Sequence, residues 1–338
     1  MKKIIRSFFA LTAVVATVVA TVSLVSCSEG AEDSGSAEVV PANEFCNISI
    51  STDLSEALVS KADVSFTDDT SIGLAIYQTT EGNTNKIHSY PYVYNNIKAT
   101  YNSKTLPVWY YAFTSDNWTE SFPQISLNTS WGACKVYGYY PFISSVKDIT
   151  AITYAASDNY AFMYGVSEVT SIEGVEEKRI SMTLKQAMTR LHFVVTLANY
   201  TNATEFYYFT FETDATDKLV TNGTFNAMTG EITNREYTTS MQTPSSSNGT
   251  ITTSGTTHDI YLVPFELNSN DANDDIKVYM RYENITSPTE YFTILEGNFE
   301  AGVSYTINVT IDNYGKIQAE SIKVDKSWGN EDFDAVEL

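Results

Sequence analysis

Two strand-like runs, Ile180-Ser-Met-Thr-Leu184 and Leu191-His-Phe-Val-Val-Thr-Leu197, flank the segment Lys185-Gln-Ala-Met-Thr-Arg190. Their β-branched and large apolar residues are typical of strands. The intervening segment lies a little beyond the middle of the 338-residue chain. The stretch therefore predicts a break between two halves of similar size.

The same rhythm of short strands and turns continues on both sides of this break. Residues 45–52 alternate, with Cys46, Ile48 and Ile50 on one face, and residues 72–77 form a nearly continuous apolar run. The chain has 23 Tyr and 17 Phe but no long segment with the 3.6-residue period of a helix. The pattern predicts an all-β fold with two β-sandwich domains in tandem, residues 45–186 and 187–338.

The N-terminus has the pattern of a lipoprotein signal. Lys2, Lys3 and Arg6 precede an apolar run that ends in Leu24-Val-Ser-Cys27, as in a bacterial lipobox. We expect residues 1–26 to be a signal peptide and Cys27 to be lipidated, since each buried acyl methylene adds about 0.8 kcal/mol of membrane affinity. Residues 27–44 are an acidic flexible tether. The alternative is a signal-anchor helix, for which the apolar run is barely long enough.

The charge balance excludes one class of partner. The chain has 20 Lys and Arg against 41 Asp and Glu, a net charge of −21. Loss of residues 1–26 removes three cations and no acids, which leaves a net charge of −24. Such a surface repels phosphate backbones, so we expect no nucleic-acid binding. It also repels anionic headgroups, so membrane attachment depends on the lipid.

The sequence offers no catalytic constellation. Its histidines, His88, His192 and His258, show no zinc-ligand spacing, and His192 is more typical of a strand face than of catalysis. There is no Gly-x-Ser-x-Gly elbow or phosphate-binding glycine loop. Residues 270–275 resemble a calcium loop in composition but lack the glycine and glutamate of the EF-hand register, which favours a solvated loop. We expect no enzyme activity, metal or cofactor.

Cysteines and aromatic residues each leave two interpretations open. Cys46 and Cys134 lie in strand-like runs, as buried free thiols or as a disulfide in an oxidising compartment. Residues 109–111, Trp118 and residues 137–140 could form a sugar-stacking platform, or they could be ordinary core and edge residues of a sandwich.

Four features together resemble the fimbrillin family, the type V pilin subunits of Bacteroides-group bacteria. The resemblance covers nearly the whole chain and rests on motif order and spacing. The features are the lipobox with its tether, the aromatic run Val136-Tyr-Gly-Tyr-Tyr-Pro-Phe142, the segment 180–193, and the C-terminal set Gly223-Thr-Phe225, 299–307 and 322–329. Lys185-Gln186 departs from the pattern, because many members have a histidine there.

The resemblance implies a fold and a route of assembly. The fold is two transthyretin-like, Greek-key sandwiches, exported as a lipoprotein precursor to the outer membrane. A trypsin-like protease removes the N-terminal segment with the first strand, residues 45–52, and a neighbouring subunit supplies a replacement strand. Members are usually cut after an arginine, but here Lys61 is the only basic residue between Cys27 and Lys86. We therefore expect cleavage after Lys61, or an uncleaved subunit that anchors the fibre.

The C-terminal tail, residues 317–338, is the expected donor strand. An ordinary edge strand or a disordered tail is the alternative. Its apolar residues are Ile317, Ile322, Val324, Phe333, Val336 and Leu338.

The expected function is that of a structural pilin of a cell-surface fimbria that supports adhesion. Its partners would be other fimbrial subunits, the processing protease, the outer membrane through the lipid, and host or bacterial surface ligands. The alternative is a Sus-type surface glycan-binding lipoprotein, which needs an exposed aromatic platform. The sequence leaves the stalk, tip and anchor roles open.

Overall fold

A computed structural model describes most of the chain after residue 44. Within the described ranges, no helix has the length and apolarity that a membrane span requires. All described residues belong to one compact unit, Ala42–Leu338. The described residues are 45–54, 68–78, 86–87, 94–102, 104, 109–115, 118–122, 125–128, 133–169, 177–198, 204–243, 249–268, 271, 273–283, 291–294, 297–312, 314, 316–320, 322–325 and 335–336.

Ten strands from the first half of the chain form one sheet. The strands are β1 (Phe45–Leu54), β2 (Ser71–Gln78), β3 (Lys86–Ile87), β4 (Ile97–Tyr101), β5 (Trp109–Ser115), β6 (Trp118–Phe122), β7 (Ile125–Asn128), β8 (Cys134–Tyr140), β10 (Met163–Val169) and β11 (Glu177–Gln186). Their order is β6–β5–β4–β2–β8–β10–β11–β1–β7, with β3 paired to β2.

A sheet of three short strands spans the predicted boundary at residue 186. Its strands are β9 (Ile152–Ala155), β14 (Leu219–Phe225) and β15 (Ile232–Thr238), in the order β15–β14–β9. Nearby, the Phe162 and Phe225 rings lie 4.6 Å apart. The Ala227 amide also donates to the Ile149 carbonyl at 2.8 Å. The division into two tandem domains at this boundary stays a prediction.

Three further sheets come from the second half of the chain. Their strands are β12 (Thr189–Leu197), β13 (Thr204–Glu212), β16 (Ser240–Gln242), β17 (Thr250–Ile251), β18 (Thr256–Leu262), β19 (Phe265–Leu267), β20 (Ile276–Tyr282), β21 (Tyr291–Ile294), β22 (Gly297–Phe299), β23 (Ser304–Ile311), β24 (Ile317–Ala319), β25 (Ile322–Asp325) and β26 (Ala335–Val336). The first sheet has the order β18–β12–β23–β25–β26, with β24 paired to β23. The second has the order β16–β13–β20–β21, with β17 paired to β13, and the third consists of β19 and β22.

The described side chains form two hydrophobic cores. The smaller contains residues from positions 46 to 184, and the larger combines residues of both halves, from Ala75 to Ile322. Along β20 buried residues alternate with partly exposed ones, as a strand with one face on a core requires. The prediction of an all-β fold is confirmed.

Candidate functional site

The first strand, β1, is integrated into the sheet by two ladders. Its first four residues pair antiparallel with β7, from Phe45 opposite Asn128 to Ile48 opposite Ile125. Its last eight pair in parallel with β11, from Asn47 opposite Glu177 to Leu54 opposite Leu184. Loss of β1 would therefore leave unpaired backbone groups on two strands at once.

The smaller core lies beneath β1. On the neighbouring β11, buried Ile180, Met182 and Leu184 alternate with exposed residues. From β1 itself Cys46 is fully buried, and from β7 so are Ile125 and Leu127. Burial of each large apolar side chain contributes roughly 1.5–3 kcal/mol, so this face is costly to expose to water.

Two side-chain hydrogen bonds hold β7 in place, one of them to β1. The Ser126 hydroxyl donates to Asn47 Oδ1 at 2.7 Å, and the Tyr94 hydroxyl donates to the Ser126 carbonyl. Tyr94 is fully buried, so its hydroxyl requires such an acceptor. The β1–β7 pair is therefore specified by side chains as well as by the ladder.

Gly165 of β10 lies near the point where the pairing of β11 with β10 ends and its pairing with β1 begins. β11 pairs with β10 at Lys185 and Gln186, and with β1 from Glu177 to Leu184. A Cβ atom at Gly165 would lie 2.3 Å from the Thr183 carbonyl oxygen. Only glycine permits this close approach of β10 to β11.

Cys46 and Cys134 lie in this core as free thiols. Burial raises the pKa of the Cys46 thiol, and Lys178 partly opposes the shift. Burial, with a further contribution from Cys46, raises the pKa of the Cys134 thiol to about 12. Both sulfurs are therefore protonated at neutral pH and pack as small apolar groups.

The fimbrillin-like family model matches residues 59–326 of the sequence. This is well over half of the chain. The chain belongs to the fimbrillin-like family. A comparison with curated protein sequences gives no match.

Solved structures similar to this fimbrillin-like chain include Bacteroides proteins. A proposed cell adhesion protein of Bacteroides ovatus is 16% identical, with a TM-score of 0.52, over 82% of this chain and 96% of that one. A fimbrial protein of Bacteroides vulgatus is 14% identical, with a TM-score of 0.45, over 85% of this chain and 100% of that one. The first likeness shows a shared fold.

The C-terminal segment of this fimbrillin-like chain divides into two parts. Ile317 and Ile322 are buried in the larger core, and Val324 packs against it. β24 and β25 both pair with β23. Beyond Asp325 the structure describes only the backbone of β26, where Val336 pairs with Ile322.

Several predicted site residues lie outside the described part of the chain. These are Cys27, Lys61, Phe333 and Leu338, together with the side chain of Val336. The roles that the sequence suggests for them stay predictions.

The sequence pattern did not predict β7, the strand that pairs with the first four residues of β1. Residues 125–128 were not predicted as a strand, nor were β4 and β6. The run Ile125-Ser-Leu127 does alternate, and its two apolar residues are fully buried. Three alternating residues are too short a signal to separate a strand from a loop.

Three of the aromatic residues considered for a sugar-stacking platform fit the alternative, that of ordinary core residues. Tyr111, Tyr137 and Tyr139 are buried, so they pack in the cores instead of facing a ligand. The side chains of Trp109 and Trp118 lie outside the described set.

A different aromatic patch, here called the tyrosine face, lies on the outer side of β13, β20 and β21. The Tyr279 and Tyr291 rings lie 5.0 Å apart, and Tyr291 is 44% exposed. Arg281 lies over the Tyr208 ring, 5.5 Å from its centroid, and Nη1 donates to the Tyr208 hydroxyl at 2.9 Å.

His192 and Asp274 each have a structural partner. His192 Nδ1 lies 2.7 Å from Asp259 Oδ1, on the face of β12, as expected for a strand-face histidine. In the acidic loop, Asp274 accepts from Lys218 Nζ at 2.9 Å and from the Asn268 amide at 2.8 Å. Among the described residues no group of three or more His, Cys, Asp or Glu could hold a metal ion.

Proposed function

We propose that this chain is a structural subunit of a cell-surface fimbria, assembled by strand exchange at the position of β1. The observation that carries the proposal is that β1 pairs with both β7 and β11 above an apolar core. Membership of the fimbrillin-like family supports it. Proteins of this type are in general structural and not enzymatic.

Removal of β1 would create a site for a strand of another subunit. The gap would expose backbone donors and acceptors of β7 and β11, which template the addition of an extended segment. Ile180, Met182 and Leu184 of β11, which belong to the smaller core, would line one side of it. An incoming strand with apolar residues at every second position would satisfy both needs.

The proposed processing site is Lys61. It follows β1 by seven residues and is the only basic residue between Cys27 and Lys86. A trypsin-like protease that cuts there separates the segment with Cys27 and β1 from the rest of the chain. The lipid on Cys27 would hold the precursor at the outer membrane until that cut.

Limited trypsin digestion of the precursor tests this assembly route. We expect heat-resistant ladders on gels and filaments by electron microscopy after digestion. The Lys61→Gln precursor, with the same fold, should remain monomeric under the same treatment. Monomers from the native precursor, despite cleavage after Lys61, would contradict strand exchange.

The proposed donor is narrower than residues 317–338. Ile317 and Ile322 fill the chain's own larger core, so they are committed to the subunit that carries them. The donor is therefore expected within residues 326–338, which contain Phe333, Val336 and Leu338. Val324 lies at the border between the two parts.

The proposed assembly route also implies a cellular location and assembly partners for the subunit. The subunit reaches the cell surface as a lipoprotein and assembles with copies of itself or with other fimbrial subunits to support adhesion. A Cys27→Ala variant should lose metabolic labelling with palmitate and leave the membrane fraction. Retention of the label would overturn the lipidation site.

The tyrosine face supports a second candidate function, that of a surface glycan-binding lipoprotein. Exposed tyrosine rings can stack on sugar rings, and Arg281 offers hydrogen-bond donors beside them. Glycan-array binding that disappears in a Tyr279→Ala/Tyr291→Ala variant would favour this function. The absence of glycan-array binding by the native protein would exclude this function for the glycans tested.

A further inference from the structure

The strand β18 forms one edge of its sheet, and its length and regularity favour unwanted pairing. It pairs with β12 from Thr256 opposite Val195 to Leu262 opposite Thr189, without a register shift. Among the edge strands that the structure describes, only β15 is as long, and two irregularities interrupt its pairing with β14. A long, regular edge presents unpaired backbone groups to which another chain can add a strand. We therefore expect the edge of β18 to need protection.

The side chain of Asn159 occupies backbone groups on this edge. Its Nδ2 donates to the Asp259 carbonyl at 2.9 Å, and its Oδ1 accepts from the Tyr261 amide at 2.9 Å. In a parallel ladder, one residue makes the same two bonds to its neighbouring strand, to a carbonyl and to the amide two residues later. The side chain of Asn159 therefore stands where the backbone of an added strand would lie.

The first half of the chain holds Asn159 in this position. β9 pairs with β14, and a single 3₁₀ turn, Ala156–Asp158, follows β9 directly. Asn159 ends that turn with a φ of 50°, and its backbone N–H donates to the Ala156 carbonyl at 3.2 Å. Asparagine adopts this left-handed conformation more readily than most residues. One residue type thus provides both the backbone conformation and the amide that reaches β18.

Charge, the commoner protection of an edge strand, is weak on β18. Asp259 is its one carboxylate. The Asp259 carboxylate lies 2.7 Å from His192 Nδ1 and 3.7 Å from Arg190 Nη1, and both partners belong to β12. A carboxylate held by the neighbouring strand repels an approaching chain less than a free one does. The amide of Asn159 is the stronger barrier, because it occupies the backbone groups themselves.

We propose that Asn159 blocks the β18 edge against a strand from a second copy of this chain, and so restricts strand addition to the position of β1. The block itself is a property of the folded subunit. Its consequence for fibres rests on the function proposed above. A subunit that joins its neighbours through one strand site must not also join them through a second edge.

The uncleaved precursor tests the block, because β1 is in place there and strand exchange cannot occur. All samples carry Cys27→Ala to avoid a lipid. Asn159→Gly removes the amide and keeps the left-handed conformation without strain. Asn234→Gly is the matched control, since Asn234 also has a positive φ, 49°, but its side chain donates to the Thr224 hydroxyl.

Sedimentation equilibrium measures the association of these precursors. We expect monomers for the chain with native Asn159 and for the Asn234→Gly control. The Asn159→Gly chain should reach about twice the monomer mass or more as its concentration rises, through pairing of exposed edges. Adding Thr257→Pro should restore the monomer, because Thr257 lies on the same edge and proline has no N–H to pair. A monomeric Asn159→Gly chain, or oligomers that persist with Thr257→Pro, would overturn the proposal.

Hydrogen exchange at the Tyr261 amide tests the block without relying on association. Mass spectrometry of peptides that overlap at Tyr261 follows this amide in dilute samples. It should exchange slowly in the chain with native Asn159 and about ten-fold faster or more in the Asn159→Gly chain, because its hydrogen bond is lost. Fast exchange with Asn159 present, or equal rates in both chains, would overturn the proposal. Circular dichroism melts establish that each variant is folded.

Cleaved samples separate this proposal from the proposed function. After cleavage at Lys61, the chain with native Asn159 should give ladders alone, whereas the Asn159→Gly chain should also give the aggregates that it forms before cleavage. The absence of ladders from every cleaved sample contradicts strand exchange alone. The masses and exchange rates of the uncleaved precursors decide the edge block independently.

Discussion

Tyr139 occupies the space above Gly73, the residue opposite it in the β2–β8 ladder. A Cβ atom at Gly73 would lie 2.0 Å from Tyr139 Cε1. Tyr139 is fully buried, and its hydroxyl donates to Asn96 Oδ1. The ring therefore has no direction in which to yield without breaking that hydrogen bond or the packing around it.

A Gly73→Ala substitution should consequently lower the free energy of unfolding by about 1–3 kcal/mol, as overpacking of a core does. Urea denaturation of the two proteins measures the difference. In a Tyr139→Leu background the same substitution should cost much less, because the ring is gone. Equal costs in both backgrounds would show that backbone effects dominate.

The buried His258 makes the free energy of unfolding depend on pH. The centroid of its ring lies 4.1 Å from that of Phe206 and 6.0 Å from that of Phe209. Asp259 is the next residue in the chain. Burial lowers the pKa of His258, and Asp259 only partly opposes this. The folded state therefore binds this proton less readily than the unfolded state, so stability is complete above about pH 6.5 and is lost as the pH falls toward the lowered pKa.

We expect a His258→Phe variant to lose this pH dependence. Unfolding free energies measured from pH 7.5 down to 5.5 should decline for the native chain and stay nearly level for the variant. At pH 8 the native histidine is neutral, so a comparison there isolates the packing difference. An unchanged slope in the variant would assign the dependence to other groups.

At the scale of elements, the sequence predicts which face of a strand is buried better than it predicts which strands pair. The alternation of residues 45–52 predicted a strand with Cys46, Ile48 and Ile50 on one face, and the strand β1 is confirmed. Its parallel partner β11 lies more than 120 residues away, and alternation carries no information about such a distant register. β9 likewise pairs with β14 across the predicted domain boundary. Partner choice depends on the whole packed core, which no local pattern encodes.

The β1–β11 ladder predicts that β1 can be replaced by a free peptide. A peptide of residues 45–54 with Cys46→Ser should occupy the gap in cleaved subunits and slow ladder formation. The control peptide carries Ile48→Asp and Ile50→Asp, which places charges on the face that the alternation assigns to the core. Gel densitometry at several peptide concentrations measures the effect. Equal inhibition by both peptides would contradict a specific strand site.

At the scale of the whole molecule, the proposed assembly makes two demands on the C-terminal segment. Residues up to Asp325 complete the larger core through β24 and β25, whereas beyond them the structure describes only β26, a two-residue strand paired with β25. A fibre subunit must fold alone and yet offer a segment to its neighbour. Under the proposed strand exchange, division of the segment at Asp325 would meet both demands, since the part that stabilises the monomer would differ from the part that is donated.

Deletion of residues 326–338 should therefore leave a folded monomer that accepts a strand but cannot donate one. We expect its circular dichroism spectrum and melting temperature to stay close to those of the native chain, and its cleaved form to give no ladder. Mixed with cleaved native subunits, it should shorten their ladders, because it ends each chain that it joins. Ile322→Asp is the contrasting variant, since a charge in the larger core should cost about 3 kcal/mol or more of stability. Ladders from the truncated chain alone would place the donor elsewhere.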